Sequence, residues 1–166
     1  MKKTIIIISI IISLLVINKE EEIIIPEESI RFRIIANSNT KEDQRLKKEI
    51  VKNLNKVIIN KDIKNITEER KYLKENIGKF QKIVDKTIKD NNSISTFNIN
   101  YGMNYFPEKK YQNVTYPEGE YESLVITLGE GNGHNFWCVL FPPLCLIDEK
   151  EENYPSLIQE LINKYF

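Results

Sequence analysis

The sequence predicts an α+β fold: a single domain in which a mostly antiparallel sheet packs with two longer helices and a short C-terminal helix, after an N-terminal hydrophobic leader. Hydrophobic periodicity switches from two to about 3.6 and back along the chain, in the order strand, helix, helix, strands, helix. The 166 residues fit one core, at about 100 to 200 residues per domain, and neither a long linker nor an internal repeat divides them. An apolar share of 41%, with 10% aromatic residues, six Gly and six Pro, excludes a disordered, collagen-like or purely coiled-coil chain.

The elements follow in order. Met1, Lys2 and Lys3 precede an uncharged, Ile-rich run over residues 4–17, which ends before Lys19 and three glutamates, Glu20, Glu21 and Glu22. A basic end followed by an apolar run shorter than the roughly 20 residues that span a bilayer has the form of an export signal. No small-x-small cleavage site is visible, so residues 1–28 are expected to be a signal peptide or an anchor with a short linker, and the folded domain is expected over residues 29–166. Membrane contact is expected only through residues 4–17.

Residues 29–36 alternate, with Ile30, Phe32 and Ile34 on one side and Arg31 and Arg33 on the other, which predicts a strand with a basic outer face. Asn37, Ser38, Asn39 and Thr40 supply turn and cap residues, and Thr40 stands three before Asp43, as in a capping box. The first helix then carries Leu46, Ile50, Val51, Leu54, Val57 and Ile58 in one stripe, with Lys47, Lys48, Lys52 and Lys56 off it. After a break over residues 60–66, Thr67 is the expected cap of a second helix with the stripe Leu73, Ile77, Phe80, Val84 and Ile88, weakened locally by Gly78.

Ile94, Phe97, Ile99, Tyr101 and Met103 alternate with Asn98 and Asn100 and predict a strand. A Tyr- and Pro-containing loop leads to the turn signal Tyr116-Pro117-Glu118-Gly119, and residues 121–128 form the next strand. Residues 136–140 are expected to be buried and extended, and Pro142 and Pro143 turn the chain. Pro155 opens a last helix over residues 155–165, with Leu157, Ile158 and Leu161 on one side.

Formal net charge is zero, which removes the electrostatic reason to expect a nucleic-acid partner. The charge is nevertheless unevenly spread. Residues 41–90 hold 15 basic against 9 acidic residues, an excess of six, and residues 107–166 hold 4 against 10, a deficit of six. Solvated helix faces account for this, and so does complementarity to a partner surface.

Residues 129–145 carry the densest chemistry. Gly129, Gly131 and Gly133 alternate, but an aromatic extended run follows them, where a phosphate-binding loop needs a helix amino terminus; a tight turn is expected instead. Cys138 and Cys145 flank the Phe141-Pro142 step symmetrically, so a bend there would place them in disulfide reach, as suits an exported protein. The competing arrangement pairs Cys138 with His134 as thiolate and base. A metal site would have only His134, Cys138 and Cys145, one ligand short of a closed site, and no cofactor or metal is expected. Trp137, beside Phe136 and Phe141, is expected in the core, with His134 and Asn135 at the solvent edge. Glu118, Glu120, Glu122 and Glu130 offer carboxylates without the spacing that identifies an acid and a nucleophile. The sequons at Asn65 and Asn113 are taken as chance.

Three segments together resemble the stage II sporulation protein R family. They are Ile30-Arg31-Phe32-Arg33-Ile34-Ile35-Ala36-Asn37-Ser38-Asn39-Thr40, continued by Glu42-Asp43-Gln44 and Leu46-Lys47; Tyr116-Pro117, Gly119-Glu120-Tyr121-Glu122; and the block from Gly129 to Cys145. Phe136 stands where a second tryptophan is common, and Asn39 where an acid is common. The resemblance implies a non-enzymatic signal of endospore formation, exported from the forespore into the space between the two cells. There it would activate a membrane-embedded aspartic protease of the mother cell, which removes the pro-sequence of sigma factor E. The partner-binding residues it implies are Arg31, Arg33, Asn37, Ser38, Asp43, Gln44, Glu120, Glu130, His134, Asn135 and Trp137, with no catalytic residue. The alternative is an exported thiol hydrolase acting on cell-wall peptide through Cys138 and His134.

Overall fold

The computed structural model describes residues 22–58, 63–146 and 154–166. The leader expected over residues 4–17 and part of the break between the two longer helices lie outside them. Among the described residues no helix is long and apolar enough to cross a membrane.

The strand expected first is β2, Ile30–Ile35, which follows a two-residue strand β1, Ile23–Ile24. Helices α1, Lys41–Ile58, and α2, Ile66–Asp90, come next, then strands β3, Phe97–Phe106, β4, Lys109–Tyr111, β5, Val114–Tyr116, β6, Gly119–Leu128, and β7, Asn135–Phe141. A 3-10 turn at Leu144–Leu146 and helix α3, Tyr154–Tyr165, complete the chain. The result is an α+β domain with two mixed sheets, ordered β3-β6-β2-β7 and β1-β5-β4. The central β2–β6 pair is parallel, which the long connection through two helices and three strands permits; the β2–β7 and β3–β6 pairs are antiparallel.

Helices α1 and α2 cover one face of the four-stranded sheet. Ile30, Phe32 and Ile34 of β2 and Leu124, Ile126 and Leu128 of β6 meet Leu46, Ile50 and Leu54 of α1 and Leu73, Phe80 and Val84 of α2 in one buried cluster. Burying a side chain such as Phe32 or Leu54 stabilises the fold by about 1.5 to 3 kcal/mol, so the paired stripes are the main reason these segments dock. Thr40 caps α1 as expected, its Oγ1 accepting from the Asp43 amide at 3.3 Å. Gly78 leaves α2 continuous.

Several local expectations are corrected. Asn65, not Thr67, caps α2: its side chain accepts from the Glu68 amide at 3.0 Å. The loop expected before Tyr116 contains the β4–β5 hairpin. The folded part extends ahead of Ser29, because β1 pairs with β5 and Ile23 and Ile25 are buried with Val114, Val139, Leu144 and Ile158 in a second cluster. Ile94 is fully exposed and lies before β3. The face of β2 opposite the main core is not a basic outer surface: Arg31 is only 2% exposed, because Phe106, Tyr121 and the segment around Pro117 close over it. Lys47, expected off the stripe, is also buried.

Candidate functional site

Two of the three motif segments knot together where β2 and β6 end. Asn37 is the hub. Its carbonyl accepts from the Asn132 amide at 3.0 Å, its side-chain oxygen accepts from the Glu130 amide at 3.0 Å, and its side-chain nitrogen donates to Asp43 at 2.9 Å. The Ser38 hydroxyl donates to the same Asp43 oxygen at 2.6 Å, and Gln44 donates to the Ser38 carbonyl at 2.8 Å. The Ser38 hydroxyl, with Asn37 and Thr40 adding to it, holds the Asp43 carboxyl below its ordinary range.

The glycines have a steric explanation. Gly129 has φ +52°, and a Cβ on it would lie 2.2 Å from the Asn37 side-chain oxygen; a Cβ on Gly133 would lie 2.2 Å from the Ser38 carbonyl oxygen. Every amide from Gly129 to His134 donates inside the protein, to Thr96, Asn37, Leu128, Asn37, Ala36 and Asn39 in turn. No amide is left to cradle a phosphate, so this is a docked turn, as its sequence context predicts.

Lys47 fastens the knot to α1. Its ammonium donates to the His134 carbonyl at 2.6 Å and to Gln44 at 2.7 Å, and burial lowers its pKa. The residue was legible, although the stripe assignment missed it: Lys47 stands three, four and seven residues before Ile50, Val51 and Leu54, the spacing of one helix face. The side chains of Glu130 and His134 are exposed at the tip.

Arg31 and Arg33 of β2 and Asn135 and Trp137 of β7 line the sheet face away from α1 and α2. The Arg33 guanidinium lies 4.4 Å from the centre of the Trp137 ring, and the hydrogen-bond network orients the Asn135 amide so that its oxygen accepts from Arg33 Nη2 at 2.9 Å. Trp137 is half-buried, edge-on to Phe106 with ring centres 5.4 Å apart. Arg31 lies 3.3 Å above the Tyr121 ring and donates through Nη1 to the Pro117 carbonyl at 3.1 Å. The first and second motifs thus meet through one guanidinium. Glu120 is exposed near the start of β6, opposite Tyr105 on β3, and among the described residues its side chain makes no hydrogen bond or ion pair to the other candidate residues.

Cys138 and Cys145 are joined in a disulfide, with Cα atoms 5.4 Å apart. Cys145 sits in the 3-10 turn and not on a facing strand, so the bond closes a turn. With its sulfur bonded, Cys138 has no thiol to pair with His134, which weighs against the hydrolase arrangement. Among the described residues no group of three His, Cys, Asp or Glu side chains could hold a metal ion.

A separate polar cluster, centred on the motif residue Glu122, joins α2 to the sheet. Arg70 donates through Nε and Nη2 to both oxygens of Glu122 at 2.7 to 2.9 Å, and the Tyr101 hydroxyl donates to the same carboxylate. Burial raises the Glu122 pKa, but the Arg70 and Tyr101 hydrogen bonds outweigh it and the net shift is downward; burial and Glu122 raise that of Tyr101. The alternation of β6 carries the signal, since Glu122 shares the face of Leu124 and Ile126.

Comparisons with known proteins place this arrangement. The family described as stage II sporulation protein R matches residues 26–151. Stage II sporulation protein R of Bacillus subtilis (strain 168) is 41% identical over 128 residues, which cover 76% of this chain and 57% of that protein. The chain thus matches little more than half the length of this curated relative. No solved structure matches. The matched span takes in the Asn37 knot, the Arg31 and Arg33 face and the disulfide, and the chain belongs to the stage II sporulation protein R family.

Proposed function

We propose that this protein is an exported sporulation signal that activates a membrane-embedded aspartic protease of the mother cell, the enzyme that processes pro-sigma factor E. Family membership over residues 26–151 carries the reading and itself supports a role in sporulation. The geometry is compatible with a ligand. The motif residues are spent on holding a shape: glycines packed against carbonyls, a buried lysine on a carbonyl, guanidinium groups on aromatic rings. Export suits the basic, apolar leader at residues 2–17 and the disulfide, which persists in oxidising compartments.

The test is co-expression of the full chain with the candidate receptor protease and pro-sigma factor E. Processing is expected with the exported protein and lost with a version lacking residues 1–17, which keeps β1 and the buried Ile23 and Ile25 but stays inside the cell. Processing that proceeds equally without the protein overturns the reading.

A further inference from the structure

A cavity of about 90 Å³ lies between β7 and the β4–β5 hairpin, with Phe106, Tyr111, Tyr116, Trp137, Val139 and Leu144 in its wall. Two cations, Arg31 and Lys109, share that wall. Arg31 is 98% removed from solvent, yet its Nε and Nη2 have no acceptor, and among the described residues no carboxylate pairs with it. The rings of Tyr121 and Phe106 stabilise its charge through their faces, but they leave the in-plane N–H groups unsatisfied. Arg70 shows what that edge does elsewhere in the molecule: the same two nitrogens grip both oxygens of Glu122. The Lys109 ammonium lies 5.5 Å from the centre of the Trp137 ring and forms no ion pair among the described residues.

We propose that this cavity receives a short peptide segment of a partner protein, in which one large apolar side chain fills the aromatic pocket and an adjoining carboxylate binds the Nε and Nη2 edge of Arg31, drawn in by Lys109. A planar carboxylate is the bidentate acceptor that matches a guanidinium edge, and aromatic walls exclude water from the pair. The two nitrogens are closed from solvent, so seating the carboxylate requires a side-chain rotation in the wall. The chemistry of the ligand stands on the cavity alone; that the partner is the receptor protease rests on the signalling role proposed above.

Trp137 is the chain's single tryptophan and lines the cavity, so its fluorescence reports occupancy directly. The full exported chain, disulfide intact, is titrated with N-acetyl-Phe-Glu-amide, with the Phe-Gln and Ala-Glu counterparts, and with octanoate. The expected result is a saturable change with Phe-Glu and binding at least about tenfold weaker for both counterparts, the effect of losing a charge-assisted bidentate pair or its apolar anchor. Arg31→Lys keeps the charge without the edge and should lose about the same factor, its fold being checked by urea denaturation. Lys109→Gln, half-exposed in β4, should bind more weakly without a change in urea midpoint. No saturable change, equal binding of Phe-Gln, or octanoate binding as tightly as the peptide overturns the proposal. If exported Lys109→Gln and folded Arg31→Lys proteins drive processing at the unmodified level while deletion of the gene abolishes it, the cavity is not the receptor contact and the signalling role stands. Processing that ignores deletion removes the signalling role, and the peptide titration still decides the cavity.

Discussion

A methyl group on Gly133 would sit 2.2 Å from the Ser38 carbonyl oxygen and 2.9 Å from the Ala36 Cβ, and no flexible side-chain end is available to yield. Gly133→Ala must therefore push the turn off the end of β2, breaking the bonds from the Gly133 and Asn132 amides to Ala36 and Asn37. The cost is expected at about 2 kcal/mol, in the range for overpacking a filled site, and appears as a lower urea midpoint with an unchanged slope. An unchanged midpoint would show that the turn is not docked as described. The spacing of Gly129, Gly131 and Gly133 signals a turn, and that much was legible. The surface it packs on was not, because Ala36 and Ser38 lie more than ninety residues earlier and nothing in local composition pairs them.

Elements were legible wherever one face alternates or recurs, and boundaries failed where a polar side chain chose between neighbouring caps. Asn65 and Thr67 can both start a helix; Asn65 prevails because its side chain reaches the Glu68 amide while Glu68 reaches back to the Asn65 side chain at 3.0 Å and to the Lys64 amide. The β4–β5 hairpin escaped notice because three-residue strands carry too little alternation to register. Between elements, the tie that periodicity does not supply is Arg70 of α2 on Glu122 of β6, and its pH dependence follows from direction alone. The Glu122 pKa is lowered from the ordinary 4.5, so its contribution is fully present above that value and is lost as pH falls through the lower, folded-state value. Arg70 is 38% exposed and the pair is partly screened, so Glu122→Gln is expected to cost about 1 kcal/mol at pH 7. Urea midpoints of the two proteins should converge as pH falls below about 4.5. A gap that stays constant through that range would assign the loss to packing and not to charge.

At the scale of the whole molecule the two hydrophobic clusters are joined through β7. Leu140 and Phe141 belong to the main cluster, Val139 and Leu144 to the second, and the Cys138–Cys145 bond closes the turn between them. Sequence spacing was enough to propose the bond; it did not reveal a second core, since β1 is two residues long and meets β5 about ninety residues later. The charge division was legible too, and the basic excess falls on α1 and α2, whose apolar stripes turn inward to the sheet. Closing a loop with seven residues of separation stabilises the fold by about 2.5 kcal/mol in the chain-entropy model, so replacing both cysteines by serine should lower stability by about that amount. The loss should not be uniform. The main cluster keeps its helices and long strands, whereas the second draws on β1, β5, the 3-10 turn and α3 and depends on the turn that the disulfide holds. Amide hydrogen exchange in the double-serine protein is expected to accelerate first in β1, β5 and α3, with β2, β6 and α2 remaining protected. Acceleration by the same factor in every element would mean that the two clusters open as one unit and that the disulfide supports the whole domain.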